Sequence, residues 1–469
     1  MKVLRFWTSS LLLAGFAASV LAQDAAPVQR QLREVYRELV EINTTDSAGS
    51  CTEAAQAMGA RLRSAGFAAA EVRVLVPPGG PKKGNLVARL RGSGAKKPLL
   101  LLAHIDVVEA RREDWKRDPF KLVEEDGYFY ARGAADDKAM AAAFVANLMR
   151  FRAEGYRPER DIVLALTCDE EISPTDYDGI EFLLKNHRSL VDAELALNEG
   201  GGGQLDKSGR RVRLTIQAGE KVDQKYRLET TNPGGHSAQP RRDNAIYDLA
   251  RGLVRLADFE FPAKLLPVTR ASFTRMATIL SGPVADDMKA VAAEPPDAAA
   301  IARLSRNPSY NAQLRNTCVA TMADAGHATN ALPQRAQAVV SCRVLPGESV
   351  EEVKSTLIRV LGNERISVTP MGEPILSPPA PLDERILGPV RTIAGEMWPG
   401  VPLVPSMSAG YTDSRHLNSA GIPAYGISGM FNEPESSGVH GLNERLPIRS
   451  LYEGQEFLYR LVKALAGGR

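Results

Sequence analysis

Apolar positions in the first two hundred residues predict helices and strands that alternate along the chain. Leucines fill positions 99–102 directly after Lys-Lys-Pro, and this run predicts a strand buried on both faces. Apolar runs at 161–167 and 193–197 predict two similar strands, whereas 29–42 and 139–152 carry apolar residues at helical spacing. This alternation is typical of a mainly parallel sheet with helices on both faces. The predicted fold class is therefore α/β.

The pattern changes near residue 220 and changes back near residue 373. Between these points, apolar and polar residues alternate in three stretches, which predicts antiparallel strands, and two helical stretches accompany them. An alanine-rich stretch at 286–306 is predicted to be helical and carries no motif. We therefore predict a first domain made of residues 23–219 and 373–469, interrupted by an inserted α+β domain at 220–372.

The first 22 residues have the pattern of a secretory signal peptide. Lys2 and Arg5 precede an apolar stretch at 11–20, and Val20-Leu21-Ala22 fits a cleavage site. We therefore expect a periplasmic or extracellular protein with no membrane anchor after processing. Removal of the two basic residues lowers the formal charge from +2 to zero. A neutral mature chain gives no support to nucleic-acid or anionic-membrane partners.

Four cysteines are scattered along the chain, too few for a disulfide scaffold. Cys318 and Cys342 lie in two predicted neighbouring strands and form the plausible bridge. Cys168 ends an apolar strand, and we predict that it is a buried thiol.

Polar side chains collect where the predicted strands end. Asp106 follows His104 by two residues, which is the spacing of a metal ligand and the carboxylate that orients it. Because parallel strand ends meet at one edge of a sheet, distant residues can converge there. Two imidazoles and several carboxylates would suit two divalent cations that share one carboxylate, with zinc the first choice and Co²⁺ or Mn²⁺ also compatible. The set consists of His104, Asp136, Glu170, Glu171, Glu199 and His440, with Asp137 an alternative to Asp136.

Nine short motifs occur in order along the chain. They are Ala103-His104-Ile105-Asp106, Gly133-Ala-Ala-Asp136-Asp137-Lys138, Asp169-Glu170-Glu171, Asn198-Glu199-Gly200, Gly234-Gly-His236-Ser237, Thr329-Asn330-Ala-Leu-Pro333, Cys342-Arg343, Gly410-Tyr-Thr-Asp413 and Val439-His440-Gly441. With these motifs the chain resembles the di-zinc exopeptidases that include glutamate carboxypeptidase, succinyl-diaminopimelate desuccinylase, acetylornithine deacetylase and aminoacylase. Within that family it most resembles the branch of carboxypeptidase S and secreted N-acyl-amino-acid hydrolases.

The resemblance implies a set of three ligands for each of two zinc ions. His104, Asp136 and Glu199 would hold one ion. Glu171, Asp136 and His440 would hold the other, so that Asp136 bridges the pair.

The resemblance also implies roles around the metals and a cis peptide bond at Asp136–Asp137. Asp106 would orient His104, and Glu170 would be the general base. The inserted domain would be the lid and dimerisation domain of the family.

Substrate-binding roles are likewise carried over from the family. His236 would polarise the scissile carbonyl, whereas Asn330 and Arg343 would bind the substrate and its free carboxylate. Gly410 and Thr412 belong to a motif assigned to substrate binding. In relatives the histidine comes from the second subunit of a homodimer, which implies a homodimer here. A monomer that closes on itself, or a structural His236, is the alternative.

Two enzymatic functions share this predicted chemistry. One is a carboxypeptidase or dipeptidase that hydrolyses peptides ending in a free carboxylate, and the other is an N-acyl-amino-acid amidohydrolase. A periplasmic solute-binding protein is a remote third hypothesis. Such a protein would need neither the paired glutamates nor the late histidine, so it leaves both unexplained.

Some polar residues have simpler interpretations. His187 and His327 fit solvated or capping positions, and Arg343 would also fit a surface ion pair. His416 follows the Gly410 motif closely and could contribute to a pocket.

Overall fold

The computed structural model describes residues 27–172, 175–433 and 437–468. The predicted signal peptide lies outside these residues. Within these three ranges, none of the helices combines the length and the apolar character needed to cross a membrane.

Strands and helices alternate through most of the described chain, as the apolar pattern predicts. The strands are β1 (Val72–Leu75), β2 (Asn85–Leu90), β3 (Lys96–His104), β4 (Val123–Glu125), β5 (Tyr128–Tyr130), β6 (Arg160–Thr167), β7 (Leu195–Asn198), β8 (Gly203–Leu205), β9 (Arg211–Glu220), β10 (Val222–Thr231), β11 (Gly235–His236), β12 (Thr317–Ala325), β13 (Ala331–Leu332), β14 (Arg335–Val344), β15 (Ser367–Met371), β16 (Leu403–Ser408), β17 (Ala424–Gly426), β18 (Phe431–Asn432) and β19 (Arg445–Pro447). The helices are α1 (27–41), α2 (Cys51–Ser64), α3 (Lys138–Ala153), α4 (Gly179–Asn186), α5 (Arg188–Val191), α6 (Ala245–Ala257), α7 (Pro267–Met276), α8 (Pro283–Ala292), α9 (Ala298–Leu304), α10 (Pro308–Leu314), α11 (Val350–Leu361), α12 (Glu384–Met397), α13 (Ser414–Ser419) and α14 (Ile448–Ala466).

The chain divides into two compact units. Among the described residues, the first contains those up to Glu194, Gly203–Arg211 and those from Ser428 onward, and the second contains Leu195–Gly202 and Val212–Ile427. The predicted insertion at 220–372 lies wholly within the second unit. Residues 373–427 fall in this unit as well, so the domain boundaries proposed from the sequence stay predictions.

The leucine strand lies inside the sheet of the first unit. Strands of this sheet follow the order β1-β2-β6-β3, and β3 runs parallel to β6. All four leucines at 99–102 are completely buried. The register places His104 beside Thr167, so the segments that follow β3 and β6 leave the sheet side by side. The predicted convergence of these two strand ends is thus present.

Two disulfide bonds correct the prediction for Cys168. It is bonded to Cys51, 117 positions earlier in the chain. Cys51 begins α2 and Cys168 follows β6, so the contact depends on how α2 packs beside the sheet, which no local pattern indicates. The second bond joins Cys318 to Cys342, which face each other across β12 and β14. The predicted pairing of those two cysteines is confirmed, whereas the predicted buried thiol was wrong.

The second unit contains the predicted antiparallel sheet. Its order is β12-β14-β10-β15, and residues from α6 and α11 share its buried apolar core. Strand β12 lies at the edge of this sheet, where Val319 and Met322 are exposed. The alanine-rich stretch forms α8 and α9, which are separated by Pro295 and Pro296, because proline interrupts helical hydrogen bonding.

A second group of strands in this unit is mostly parallel. Strand β7 pairs in parallel with β17, and β9 pairs in parallel with β16, whereas β17 and β9 are antiparallel. With the parallel β3/β6 pair of the first unit, they confirm a mixed α/β fold with mainly parallel strands and flanking helices.

Glu220 is a buried carboxylate at the end of β9. Its Oε2 accepts hydrogen bonds from the backbone nitrogen and the hydroxyl of Thr412, at 2.9 and 3.1 Å, and Ser377 donates to Oε1 at 3.3 Å. Burial raises the pKa of Glu220 from 4.5 to about 7, although the two donors on Thr412 oppose the rise. Glu220 therefore holds the Thr412 segment in place. Its raised pKa means that the carboxyl group of Glu220 changes charge near neutral pH.

We predict that this titration makes stability depend on pH. Because the folded-state pKa is the higher one, the stabilisation is complete below the unfolded pKa and is lost as the pH rises through about 7. The free energy of unfolding should therefore fall by about 3 kcal/mol between pH 4 and pH 8 relative to a Glu220→Gln variant. Urea unfolding of both proteins at the two pH values measures this difference. Identical pH dependence in the two proteins would contradict the prediction.

Candidate metal centre and active site

His104 ends the leucine strand, and its ring is held from one side. Its Nδ1 lies 3.1 Å from the backbone oxygen of Asp106 and 3.5 Å from the Asp106 carboxylate. Its Nε2 faces the carboxylate of Asp136, with a separation of 3.1 Å from Oδ1. An imidazole oriented through one nitrogen presents the other as a metal ligand.

Asp136 lies between two histidines. Its Oδ1 faces His104 Nε2, and its Oδ2 lies 3.3 Å from His440 Nε2. Burial acts to raise the pKa of Asp136, but hydrogen bonds with His104 and His440 hold it well below its usual range. The carboxylate is therefore ionised. One oxygen toward each imidazole is the arrangement that a carboxylate shared by two metal ions would need.

Asp137 occupies a different position from its neighbour. It is the residue before α3, and the peptide bond between Asp136 and Asp137 is cis, as the family resemblance implies. Asp136 is the member of the pair that contacts both histidines. This geometry favours Asp136 over Asp137 as the shared ligand.

His440 faces two carboxylates. Its Nε2 lies 2.9 Å from Glu171 Oε2 and 3.3 Å from Asp136 Oδ2. Hydrogen bonds to Asp136 and Glu171 raise the pKa of His440 to about 10. The ring thus lies where two carboxylates converge. It could serve as a metal ligand in its deprotonated form, since metal ligands must be deprotonated.

Asp106 organises the turn that carries the paired glutamates. Its Oδ1 accepts a hydrogen bond from the backbone nitrogen of Glu170 at 3.3 Å, and its Oδ2 accepts one from Glu171 at 3.0 Å. The turn begins at Asp169, whose φ of 65° is left-handed. A carboxylate oxygen of Glu170 lies within 4.8 Å of a His104 ring nitrogen. Asp106 therefore fixes both the predicted ligand turn and the His104 ring.

The first unit provides donors that fit a divalent metal. One ligand atom from each of His104, Asp136 and Glu171 lies within 4.8 Å of the other two. A set of imidazole nitrogens and carboxylate oxygens is suitable for zinc and related divalent ions. His440 adds a second imidazole on the other side of Asp136. These four residues could hold metal.

Glu444 contacts the loop that carries Asp136, Arg132 contacts the segment that carries His440, and sequence reasoning assigned them no role. Both are almost completely buried, and Arg132 Nη1 donates to Glu444 Oε2 at 2.7 Å. The available signal was a glutamate four residues after His440, within the segment His-Gly-Leu-Asn-Glu.

Glu199 belongs to the second unit and directly follows β7. It is half-buried, and the next residue, Gly200, has a left-handed φ of 104°. The metal-ligand role of Glu199 stays a prediction.

His236 and Asn330 are neighbours within the second unit. His236 lies in β11, which pairs with β13, and the carbonyl of Asn330 accepts a hydrogen bond from Ser237 at 3.0 Å. His236 is exposed, and its Nδ1 accepts a hydrogen bond from the backbone nitrogen of Ala238. An exposed imidazole anchored through one nitrogen can present the other to a substrate.

Arg343 contacts both a carboxylate and an aromatic ring. Its Nη1 lies 3.5 Å from Asp223, which is a long ion pair, and its guanidinium lies 5.2 Å from the centre of the Tyr411 ring. Arg415, which sequence reasoning missed, lies 3.9 Å from the centre of the same ring. Gly410 and Thr412 flank Tyr411, so this segment lies beside two guanidinium groups. The roles predicted for Arg343, Gly410 and Thr412 stay predictions.

The remaining histidines occupy varied positions. His187 is the residue after α4 and packs its ring on Phe182, and His327 is exposed in a turn. His416 is buried in α13 next to Arg415.

Comparisons with known proteins identify the family. A model of Peptidase family M20/M25/M40 matches residues 100–464. The N-fatty-acyl-amino acid synthase/hydrolase PM20D1 of Xenopus tropicalis is 30% identical over 377 residues, which cover 78% of this chain and 72% of that protein. Probable carboxypeptidase S-like 2 of Dictyostelium discoideum is 28% identical over 381 residues, covering 78% and 71%.

A solved structure shares the fold. The M20 family metallo-carboxypeptidase Sso-CP2 from Sulfolobus solfataricus has a TM-score of 0.68 at 19% identity, covering 93% of this chain and 99% of that chain. The match of the family model to most of the chain confirms the resemblance drawn from the motifs. The chain belongs to peptidase family M20/M25/M40 and is a metal-dependent amide hydrolase.

Proposed function

We propose that the chain is an exported, zinc-dependent carboxypeptidase or dipeptidase that hydrolyses the amide bond before a residue with a free carboxylate. The observation that carries this proposal is Asp136, which turns one carboxylate oxygen to His104 and the other to His440. The relationship to a carboxypeptidase S-like protein supports the peptidase activity. The predicted signal peptide supports export.

In this proposal Asp136 would be shared by two metal ions. His104 and Glu199 would complete the ligands of one ion, and Glu171 and His440 would complete those of the other. Two zinc ions held there would supply a water with a pKa near neutrality and would polarise the scissile carbonyl.

Glu170 is the proposed general base. It accepts the proton of the attacking water and later donates it to the departing amine. Its backbone is held by Asp106, and its carboxylate lies close to the His104 ring. A glutamate whose backbone is held in this way can keep its carboxylate beside the reacting water without serving as a metal ligand itself.

The second unit provides the proposed substrate contacts. His236 donates to the scissile carbonyl as negative charge develops on its oxygen. Arg343 binds the free carboxylate, for which the planar guanidinium offers paired donors. Asn330, Gly410 and Thr412 complete the proposed contacts. The long ion pair of Arg343 with Asp223 is compatible with a guanidinium that exchanges partners when substrate arrives.

We also propose a homodimer in which His236 acts on the site of the partner subunit. Strand β12 supports an interface in the inserted domain, because it is an edge strand with exposed Val319 and Met322. Unpaired edge strands readily pair with another chain.

A second candidate is hydrolysis of N-acyl amino acids. Val439 and Leu442 lie on either side of His440 in the sequence. Both are exposed, Val439 by 39% and Leu442 by 56%. Exposed apolar side chains near a metal ligand favour an apolar acyl group, and PM20D1 is named for N-fatty-acyl-amino acids. Dipeptides and N-acyl amino acids that share one C-terminal residue separate the candidates when released amine is measured with and without added zinc. Preference for the acyl series would replace the peptidase proposal.

We predict that the paired glutamates differ in function. Glu170→Gln preserves side-chain size but removes the base, so kcat should fall by about a hundredfold to ten-thousandfold while metal content stays normal. Glu171→Gln, the matched control, should instead lower the metal content. Turnover and metal analysis of both variants measure this difference. Near-normal turnover in a metal-loaded Glu170→Gln protein would assign the base to another residue.

We predict that the free carboxylate of the substrate is recognised by Arg343. Converting the carboxylate to an amide should lower kcat/KM by about thirtyfold, because it leaves the guanidinium facing a neutral group. Arg343→Met should remove this discrimination. Arg335→Met is the control, since Arg335 lies on the same strand and pairs with Glu229. Unchanged discrimination in Arg343→Met would exclude this role for Arg343.

A further inference from the structure

Glu444 connects two segments that carry proposed metal ligands. We infer that Glu444 is a positioning residue, which sets the place of Asp136 and, through Asp136, the spacing between Asp136 and His440. This inference rests on the proposed function, because it takes Asp136 and His440 as metal ligands. It adds a role for a residue that contacts neither the proposed metals nor the substrate.

Both oxygens of the Glu444 carboxylate receive hydrogen bonds from the loop of Asp136. Oε2 accepts from the backbone nitrogen of Gly133 at 2.9 Å and from Arg132 Nη1 at 2.7 Å. Oε1 accepts from the backbone nitrogens of Ala135 at 2.7 Å and Asp136 at 3.1 Å. One side chain thus fixes the backbone at three positions, Gly133, Ala135 and Asp136.

The same interaction restrains the segment that carries His440. Glu444 follows His440 by four residues, and Arg132 Nη2 donates to the carbonyl of Gly441 at 2.6 Å. The backbone carbonyl of Glu444 also accepts a hydrogen bond from Ala131 at 3.2 Å. In all of these hydrogen bonds the loop of Asp136 donates and the segment of His440 accepts. Since Asp136 Oδ2 and His440 Nε2 are 3.3 Å apart, a small shift of either segment would change the ligand geometry.

The chemistry of these contacts requires a carboxylate. The side chain of Glu444 is fully buried, and all four groups that face its oxygens are hydrogen-bond donors. An amide would turn its NH₂ group toward two of those donors in either orientation. Glutamine has nearly the same size as glutamate, so it leaves packing intact while breaking the contacts on one side.

A positioning role and a purely structural role make different predictions. A structural residue would affect the stability of the fold, and its loss would weaken metal binding equally whether or not Asp136 is present. A residue that acts through Asp136 loses its effect once Asp136 is no longer a ligand. A double-mutant cycle in Glu444 and Asp136 separates the two roles.

We predict that Glu444→Gln weakens Zn²⁺ binding to the metal-stripped full-length protein by about tenfold or more. In an Asp136→Asn background the same change should alter the dissociation constant by less than about threefold, because the two residues act as one unit. Isothermal titration calorimetry measures the Zn²⁺ dissociation constant of all four proteins, and far-UV circular dichroism checks their folding.

Glu433→Gln is the matched control. Glu433 also pairs with an arginine, Arg445, at 2.7 Å and accepts from Tyr128 at 2.7 Å, and both of these partners belong to segments other than the Asp136 loop. Zn²⁺ affinity of this variant should equal that of the wild type. Should Glu444→Gln fail to fold, Glu444→Asp takes its place in the cycle with the same expected sign, because its shorter side chain cannot reach both sets of donors.

Each outcome leads to a distinct conclusion. Unchanged Zn²⁺ affinity in Glu444→Gln, or an equal loss in both backgrounds, would overturn the positioning role. Normal Zn²⁺ affinity in Asp136→Asn alone would instead overturn the proposed ligand set, and with it the proposed function. Loss in the wild-type background together with little change in the Asp136→Asn background supports Glu444 as the positioning residue.

Discussion

The carboxylate of Asp136 is the point on which the candidate active site depends. Its two oxygens face His104 and His440, which come from segments more than three hundred residues apart. A partly buried carboxylate in this position is costly unless positive groups or hydrogen-bond donors surround it. The site therefore needs two imidazoles, or the cations that they would help to bind, on both sides of one ionised group.

Two fully buried carboxylates hold the segments around it. Asp106 accepts the backbone hydrogen bonds that fix the turn of Glu170 and Glu171, and Glu444 accepts those that fix the loop of Asp136. Each contact replaces water at a backbone nitrogen with a charged acceptor, which gives a stronger hydrogen bond than a neutral one. A catalytic site built from turns and loops can in this way keep the spacing that metal ligands require.

Sequence patterns predicted the elements of regular structure better than the contacts between them. Four leucines in succession identify β3 because burial on both faces leaves no polar position, and the parallel pairing with β6 then brings His104 near the glutamates. The facing cysteines of β12 and β14 follow from the alternation of adjacent strands. Cys168 was misassigned because its partner, Cys51, begins a helix whose packing has no local signal.

The supporting residues were missed for a related reason. Glu444 and Arg132 resemble ordinary charged residues in the sequence, since burial of a charge depends on partners brought together by the fold. Arg415 was missed because only Gly410 and Thr412 were selected from this segment of the sequence. Its contact with the Tyr411 ring, which adds a second guanidinium beside the segment, depends on the fold. Motifs indicate which side chains can do chemistry, whereas tertiary contacts determine which others hold them in place.

The most direct test of this account is the number of metal ions bound per chain before and after Asp136→Asn. If Asp136 is shared, the wild type should bind two zinc ions with high affinity. The variant should retain at most one, because an amide offers one ligand oxygen in place of two. Elemental analysis after dialysis against limiting zinc gives this number directly. Two tightly bound ions in Asp136→Asn would contradict the shared carboxylate on which the account rests.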